Sequence, residues 1–169
     1  LSKVDDHLDA IALCLDNDLR TPALVLIYTG IDIMAALSRP ALVKKTGKRQ
    51  FIKWAEHHMG CQERIGVSGL DLYAARCGIV HTATAESSLS DDGNARRIFY
   101  SWGHRDKPEP TAGAEISGRT DVVVRIEDLA DALCASVALF RREVRDDPVL
   151  ASLVRRRSGK LFMVRAAAP

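Results

Sequence analysis

Arg76 and His81 stand as the polar exceptions in a run, LDLYAARCGIVHTATAES, that is otherwise mostly oily. Leu70, Leu72, Tyr73, Ala74, Ala75, Cys77, Ile79, Val80 and Ala83 give that segment an apolar surface on most of its circumference if it is helical, so a guanidinium and an imidazole there need partners. In RNA cleavage without a metal, an imidazole can withdraw the ribose 2'-OH proton or protonate the leaving 5'-oxygen. A guanidinium neutralises the charge that gathers on the pentacoordinate phosphorus. Arg76 and His81 supply that pair, and Tyr73, one turn before Arg76, offers a hydroxyl to a phosphate oxygen. A tyrosine at that spacing is more often a core residue with a wet hydroxyl.

Asp32 is the second anomaly, set among Ile27, Ile31, Ile33 and Met34 in the most hydrophobic stretch of the chain. A carboxylate in such surroundings is paired, with Arg76 the most economical partner and His81 the next. The pairing is either a structural bridge between two helices or one that also orients catalytic groups. Positions five apart on an α-helix differ by roughly 140° around its axis, so Arg76 and His81 do not share one narrow face. That spacing points to a composite site in which two copies of the helix meet across a two-fold axis. Gly78, between the two, costs about 1 kcal/mol relative to alanine in mid-helix, which close helix packing compensates more often than an approaching phosphate.

Other chemistry is less well supported. His57, His58 and Cys61 are candidate metal ligands, and Cys77 with His81 forms an i,i+4 pair, but no further Cys/His element fixes a zinc geometry, so no metal and no cofactor is expected. Neither a Walker loop nor a G-x-G-x-x-G is present. Basic residues cluster at Lys44, Lys45, Lys48 and Arg49, at Arg141, Arg142 and Arg145, and at Arg155, Arg156 and Arg157. Such clusters can steer RNA but are more often solvated faces.

The elements that must position these residues follow from hydrophobic period and punctuation. The chain of 169 residues is 47% hydrophobic with a net charge of +2, which excludes a disordered or fibrous protein and is too small a charge to announce nucleic-acid binding. One domain over 1–169 is expected. Cys14, Cys61, Cys77 and Cys134 form no C-x-x-C pair, which suits reduced thiols in a cytoplasm, and the oily run from Ala23 to Leu37 is broken by Asp32, which suits a core helix and no membrane span. Leu8, Ile11, Leu15 and Leu19 predict an amphipathic first helix. Thr21 and Pro22 predict the cap and first turn of a second, ending before Pro40. A third helix covers Phe51 to Met59, stopped by Gly60, and a fourth runs from Leu70 to about Thr84, capped by Ser68 and favoured by Asp71.

Beyond it, SSLSDDGNARR reads as turn, and RIFYSWG and DVVVRI as strands joined by a long polar connection. An antiparallel β-hairpin inserted at 96–126 is the simplest arrangement. A fifth helix opens at Glu127 and Asp128 and ends near Asp147, followed by a short helix PVLASLVRRR and a tail, KLFMVR, that can pair as a strand or trail. The expected fold is therefore mainly α, an up-and-down bundle of about five helices with a small antiparallel hairpin after the fourth.

The segment LYAARCGIVH resembles the R-x4-6-H signature of HEPN domains, helical bundles that dimerise and pair arginines with histidines at the interface. The chain as a whole is also similar to small bacterial proteins. The resemblance implies a metal-independent endoribonuclease of toxin or defence type, with Arg76 and His81 as the catalytic pair, a homodimer, RNA as substrate, and an antitoxin or nucleotidyltransferase as a possible protein partner. Active members usually carry a polar residue after the arginine, where this chain has Cys77. The competing expectation is a non-catalytic interaction or RNA-binding module in which Asp32, Arg76 and His81 lock the bundle.

Overall fold

A computed structural model describes residues 2–82, 84, 87–103 and 121–161. In chain order its elements are α1 (Ser2–Asp16), α2 (Arg20–Ser38), α3 (Lys48–His57), α4 (Cys61–Ile65), α5 (Gly69–Thr82), α6 (Ser88–Asp91), β1 (Ile98–Ser101), β2 (Val122–Arg125), α7 (Ile126–Asp146) and α8 (Pro148–Ser158). The described residues thus form eight helices, more than the five or so that periodicity predicts, because α4 and α6 are too short to show a period. The helix that bears Arg76 and His81 is α5.

α2 is the centre of the bundle, packing against α1, α3, α5, α7 and α8. This explains why it is oily around its whole circumference: Ile27, Tyr28, Ile31, Met34 and Leu37 are all buried. By length and composition α2 could cross a membrane, and half of its apolar window is buried inside the fold. Gly30 permits the closest crossing, since a Cβ there would stand 2.8 Å from Leu133 Cδ2 of α7. The start of α2 differs from the expected Thr21 cap. A tight turn with Asp18 in the left-handed region and the Leu19 N–H bonded to the Cys14 carbonyl starts the helix at Arg20, leaving Thr21 and Pro22 inside its first turn. At the other end the buried guanidinium of Arg157, from α8, donates to the carbonyls of Leu37, Arg39 and Pro40. A cation there satisfies orphan carbonyls and opposes the negative end of the helix dipole.

α5 begins with a reciprocal box. The Asp71 N–H donates to Ser68 Oγ at 3.1 Å, and the Ser68 N–H to Asp71 Oδ2 at 2.9 Å. Asp71 is also held by the Arg96 backbone N–H at 2.8 Å and by the Arg96 guanidinium, which ties the loop before β1 to the start of α5. Close approach to α3 needs Gly69, where a Cβ would lie 2.9 Å from Glu56 Cγ and 3.0 Å from the Ile52 carbonyl oxygen.

The two strands pair in parallel, Ile98 opposite Val122 through Ser101 opposite Arg125, so the antiparallel hairpin is corrected. A tight turn enforces antiparallel pairing. The long connection between these strands leaves the chain free to return and run in the same direction. Arg97 and Asp121, one residue before the first registered pair, form an ion pair at 3.1 Å that sets this register. The Tyr100 hydroxyl meets that of buried Tyr28 at 2.5 Å, fastening β1 to α2. The KLFMVR tail lies outside the described residues beyond Leu161.

Candidate active site

α5 is buried along Leu72, Ala74, Ala75, Gly78 and Ile79, while Tyr73, Arg76, Cys77 and Val80 form a half-buried stripe at i, i+3, i+4 and i+7. His81, beside that stripe near the end of the helix, is exposed. Asp32 projects from α2 toward the same place. Arg76 Nε donates to Asp32 Oδ2 at 2.8 Å, and Arg76 Nη1 donates to His81 Nε2 at 3.0 Å. The guanidinium therefore joins the carboxylate and the imidazole within one chain, where the helical angle points to a site shared by two. The long arginine side chain spans the difference. Side-chain exposures of 22% for Arg76 and 30% for Asp32 leave the cluster open to solvent on one side.

The electrostatics follow from this arrangement. Burial by itself lowers the Arg76 pKa, but the hydrogen bond and charge of Asp32, with a smaller contribution from Cys77, hold the guanidinium above its ordinary value. Burial first, then the neighbouring Cys77, raises the phenol pKa of Tyr73. Its ring packs edge-on against Phe51 at 5.5 Å, with Lys48 Nζ 6.0 Å from its centroid. The four residues singled out by sequence, Asp32, Tyr73, Arg76 and His81, thus gather in one place, joined by Cys77 and Lys48. Cys77 is legible only as one more apolar residue on a helix, and Lys48 only as a member of a basic run.

A guanidinium has donors only, so its bond to His81 Nε2 belongs to the neutral imidazole with the proton on Nδ1. In this state Nε2 is occupied. A phosphate that drew the guanidinium toward itself would release Nε2 to take a proton, while Asp32 kept Arg76 aligned. The triad can therefore bind an oxyanion and move a proton beside it.

The other sequence candidates are placed differently. His58 Nε2 meets Glu143 Oε2 at 3.1 Å and its ring stacks on Trp54 at 3.9 Å, while Cys61 is buried. Among the described residues no group of three His, Cys, Asp or Glu side chains could hold a metal. Of the basic clusters, Arg157 is absorbed into the α2 terminus and Arg141 pairs with Asp5, while Lys44, Lys45, Lys48, Arg49, Arg155 and Arg156 are exposed.

The class that fold and site define is a mainly helical domain with a small parallel sheet and a partly exposed Asp/Arg/His cluster between α2 and α5. Comparison with protein-family models, with curated proteins and with solved structures gives no match.

Proposed function

We propose that the protein is a metal-independent endoribonuclease of the HEPN type, acting in a toxin or defence setting. The observation that carries this reading is the continuous bond from Asp32 Oδ2 through Arg76 to His81 Nε2, open to solvent at the histidine. In the proposed reaction His81 withdraws the 2'-OH proton or protonates the 5'-oxygen. Arg76 stabilises the phosphorane, Asp32 orients Arg76, and Tyr73 lies within the same cluster. The 2'-oxygen displaces the 5'-oxygen at phosphorus, leaving a 2',3'-cyclic phosphate and a 5'-hydroxyl. RNA is the substrate and the site works in a homodimer in the cytoplasm. An antitoxin or nucleotidyltransferase would be the controlling partner.

The test is cleavage of labelled single-stranded RNA in chelator by wild type, His81→Ala and Arg76→Ala. Loss of general acid–base catalysis is expected to slow His81→Ala by about 10²- to 10⁴-fold. Equal yields of 2',3'-cyclic ends from wild type and His81→Ala would sink the proposal. A second reading, a non-catalytic interaction or RNA-binding module, is favoured by the occupied Nε2 of His81 and by Cys77 after the arginine. It predicts binding without cleavage by the wild type.

A further inference from the structure

Away from that cluster, a cavity of about 630 Å³ opens between the C-terminal end of α2, the segment 39–47 and α3, and none of Asp32, Arg76 or His81 lines it. Its size falls within the range of small-molecule sites. Pro40, Val43 and Trp54 give it an apolar wall, while Arg39, Arg49 and Lys53 bring three cations to it against one carboxylate, Glu56. Arg49, Lys53 and His57 recur every four residues and so share one face of α3.

The state of its cations separates this cavity from an ordinary solvated basic face. Among the described residues Arg39, Arg49 and Lys53 form no ion pair, and Arg39 is fixed by carbonyl and hydroxyl acceptors instead, donating to Ala36, Val43 and Thr46. Arg157, which bonds the Arg39 carbonyl, adds a further cation nearby, and burial first, then the like charges of Arg39 and Arg156, lower its pKa. Trp54, only 1% exposed, carries an indole N–H with no acceptor, and the His58 ring stacked on it donates through Nε2 to Glu143, which leaves Nδ1 as an unpartnered acceptor. The Trp54 N–H is enclosed by the packing around it, an unmade bond that costs about 1–3 kcal/mol, and the three cations at the cavity are the groups that can meet an anionic occupant.

We propose that this cavity binds a small organic anion, a flat apolar body carrying a carboxylate or phosphomonoester head. The body lies against Trp54, Pro40 and Val43, and the head meets Arg49 and Lys53 at the rim, with Arg39 behind them. Charge-assisted hydrogen bonds supply orientation and the apolar wall supplies affinity.

The test uses Trp54 fluorescence in a Trp102→Phe background, titrating 1-naphthyl phosphate and 1-naphthoate, with 1-naphthol and inorganic phosphate as the isolated body and head. Either or both naphthyl anions are expected to saturate below about 1 mM, at least about tenfold more tightly than naphthol or phosphate, and less tightly as salt is raised. The better of the two identifies the head. Both charge-reversed side chains are exposed, so Arg49→Glu/Lys53→Glu should keep the wild-type melting temperature and lose at least about tenfold in affinity. Calorimetry of the same titrations gives an independent readout. Absence of saturation by both anions up to about 5 mM, binding indifferent to the charge reversal, or naphthol or phosphate binding as tightly as the anions would each overturn the proposal.

Discussion

Arg76 makes two different bonds with two different nitrogens, and that geometry is what a lysine cannot copy. Its Nε holds Asp32 while Nη1 reaches His81, so Arg76→Lys keeps the charge and loses the bridge. Arg76→Ala and Asp32→Ala, made singly and together, should show a coupling energy of about 0.5–3 kcal/mol in urea denaturation. Strictly additive losses would mean that the two residues do not support one another. A different behaviour is expected of His58. Burial beside Trp54 and Phe140 lowers its pKa, with neighbouring His57 adding to the effect, and outweighs the Glu143 carboxylate that raises it. A histidine that folds best as the neutral ring contributes stability in full above its unfolded pKa of about 6.5, and loses that contribution as pH falls through the lower folded value. Denaturation midpoints measured from about pH 7.5 down to about 5 should fall for wild type and fall less for His58→Phe. Asp71 acts in a lower window. Burial raises its pKa, but bonds from Ser68 and Arg96 outweigh that and hold it below the usual carboxylate range, so its stabilisation is present above about 3.8 and is lost only as pH falls further.

Helix termini and crossings set where the cluster sits. The Ser68 and Asp71 box fixes the start of α5, and Ser68→Ala should lower stability by about 1 kcal/mol through the lost cap. Gly69→Ala should cost about 1–3 kcal/mol, because the new methyl would meet the backbone carbonyl of Ile52, which a side-chain rotation cannot relieve. The same substitution in an unstrained helix position would stabilise, so the sign of the change in thermal midpoint tests the α3–α5 contact directly. At the far end of α2, Arg157→Met removes a cation that serves three carbonyls, and a loss of about 1.5–3 kcal/mol is expected by chemical denaturation. Ser68 and its box are legible in sequence from the cap residue and the acidic third position. Arg157 is not, because it reads as one of three equivalent arginines and only the packing of α8 on α2 selects it.

For the molecule as a whole, the face of α5 around the cluster is oily yet half-exposed at Tyr73, Cys77 and Val80. The proposed homodimer would cover that stripe, bringing two clusters to one seam. Sedimentation of the wild type should then show a dimer that Val80→Glu converts to a monomer, with Asp32 and Arg76 still paired inside each chain. A wild type that stays monomeric at about 100 μM would remove the seam from the mechanism.

The amino-acid order by itself determined the long helices, because hydrophobic period and cap chemistry are local, and it isolated Asp32 and Arg76, because ionised groups in oily runs must find each other. Three matters were decided only in three dimensions. The strands run parallel because a long connection leaves direction to packing, although the opposite charges of Arg97 and Asp121, each directly before an apolar run, carry a trace of the register. The reach from Arg76 to His81 within one chain depends on a flexible side chain, which a helical wheel omits. The cavity between α2 and α3 is lined by residues of one stretch of chain, 35–58, but the space it encloses exists only because the segment 39–47 turns α3 back against α2. Local propensity is written in neighbouring residues, whereas direction, reach and enclosed space arise only when distant elements share one core.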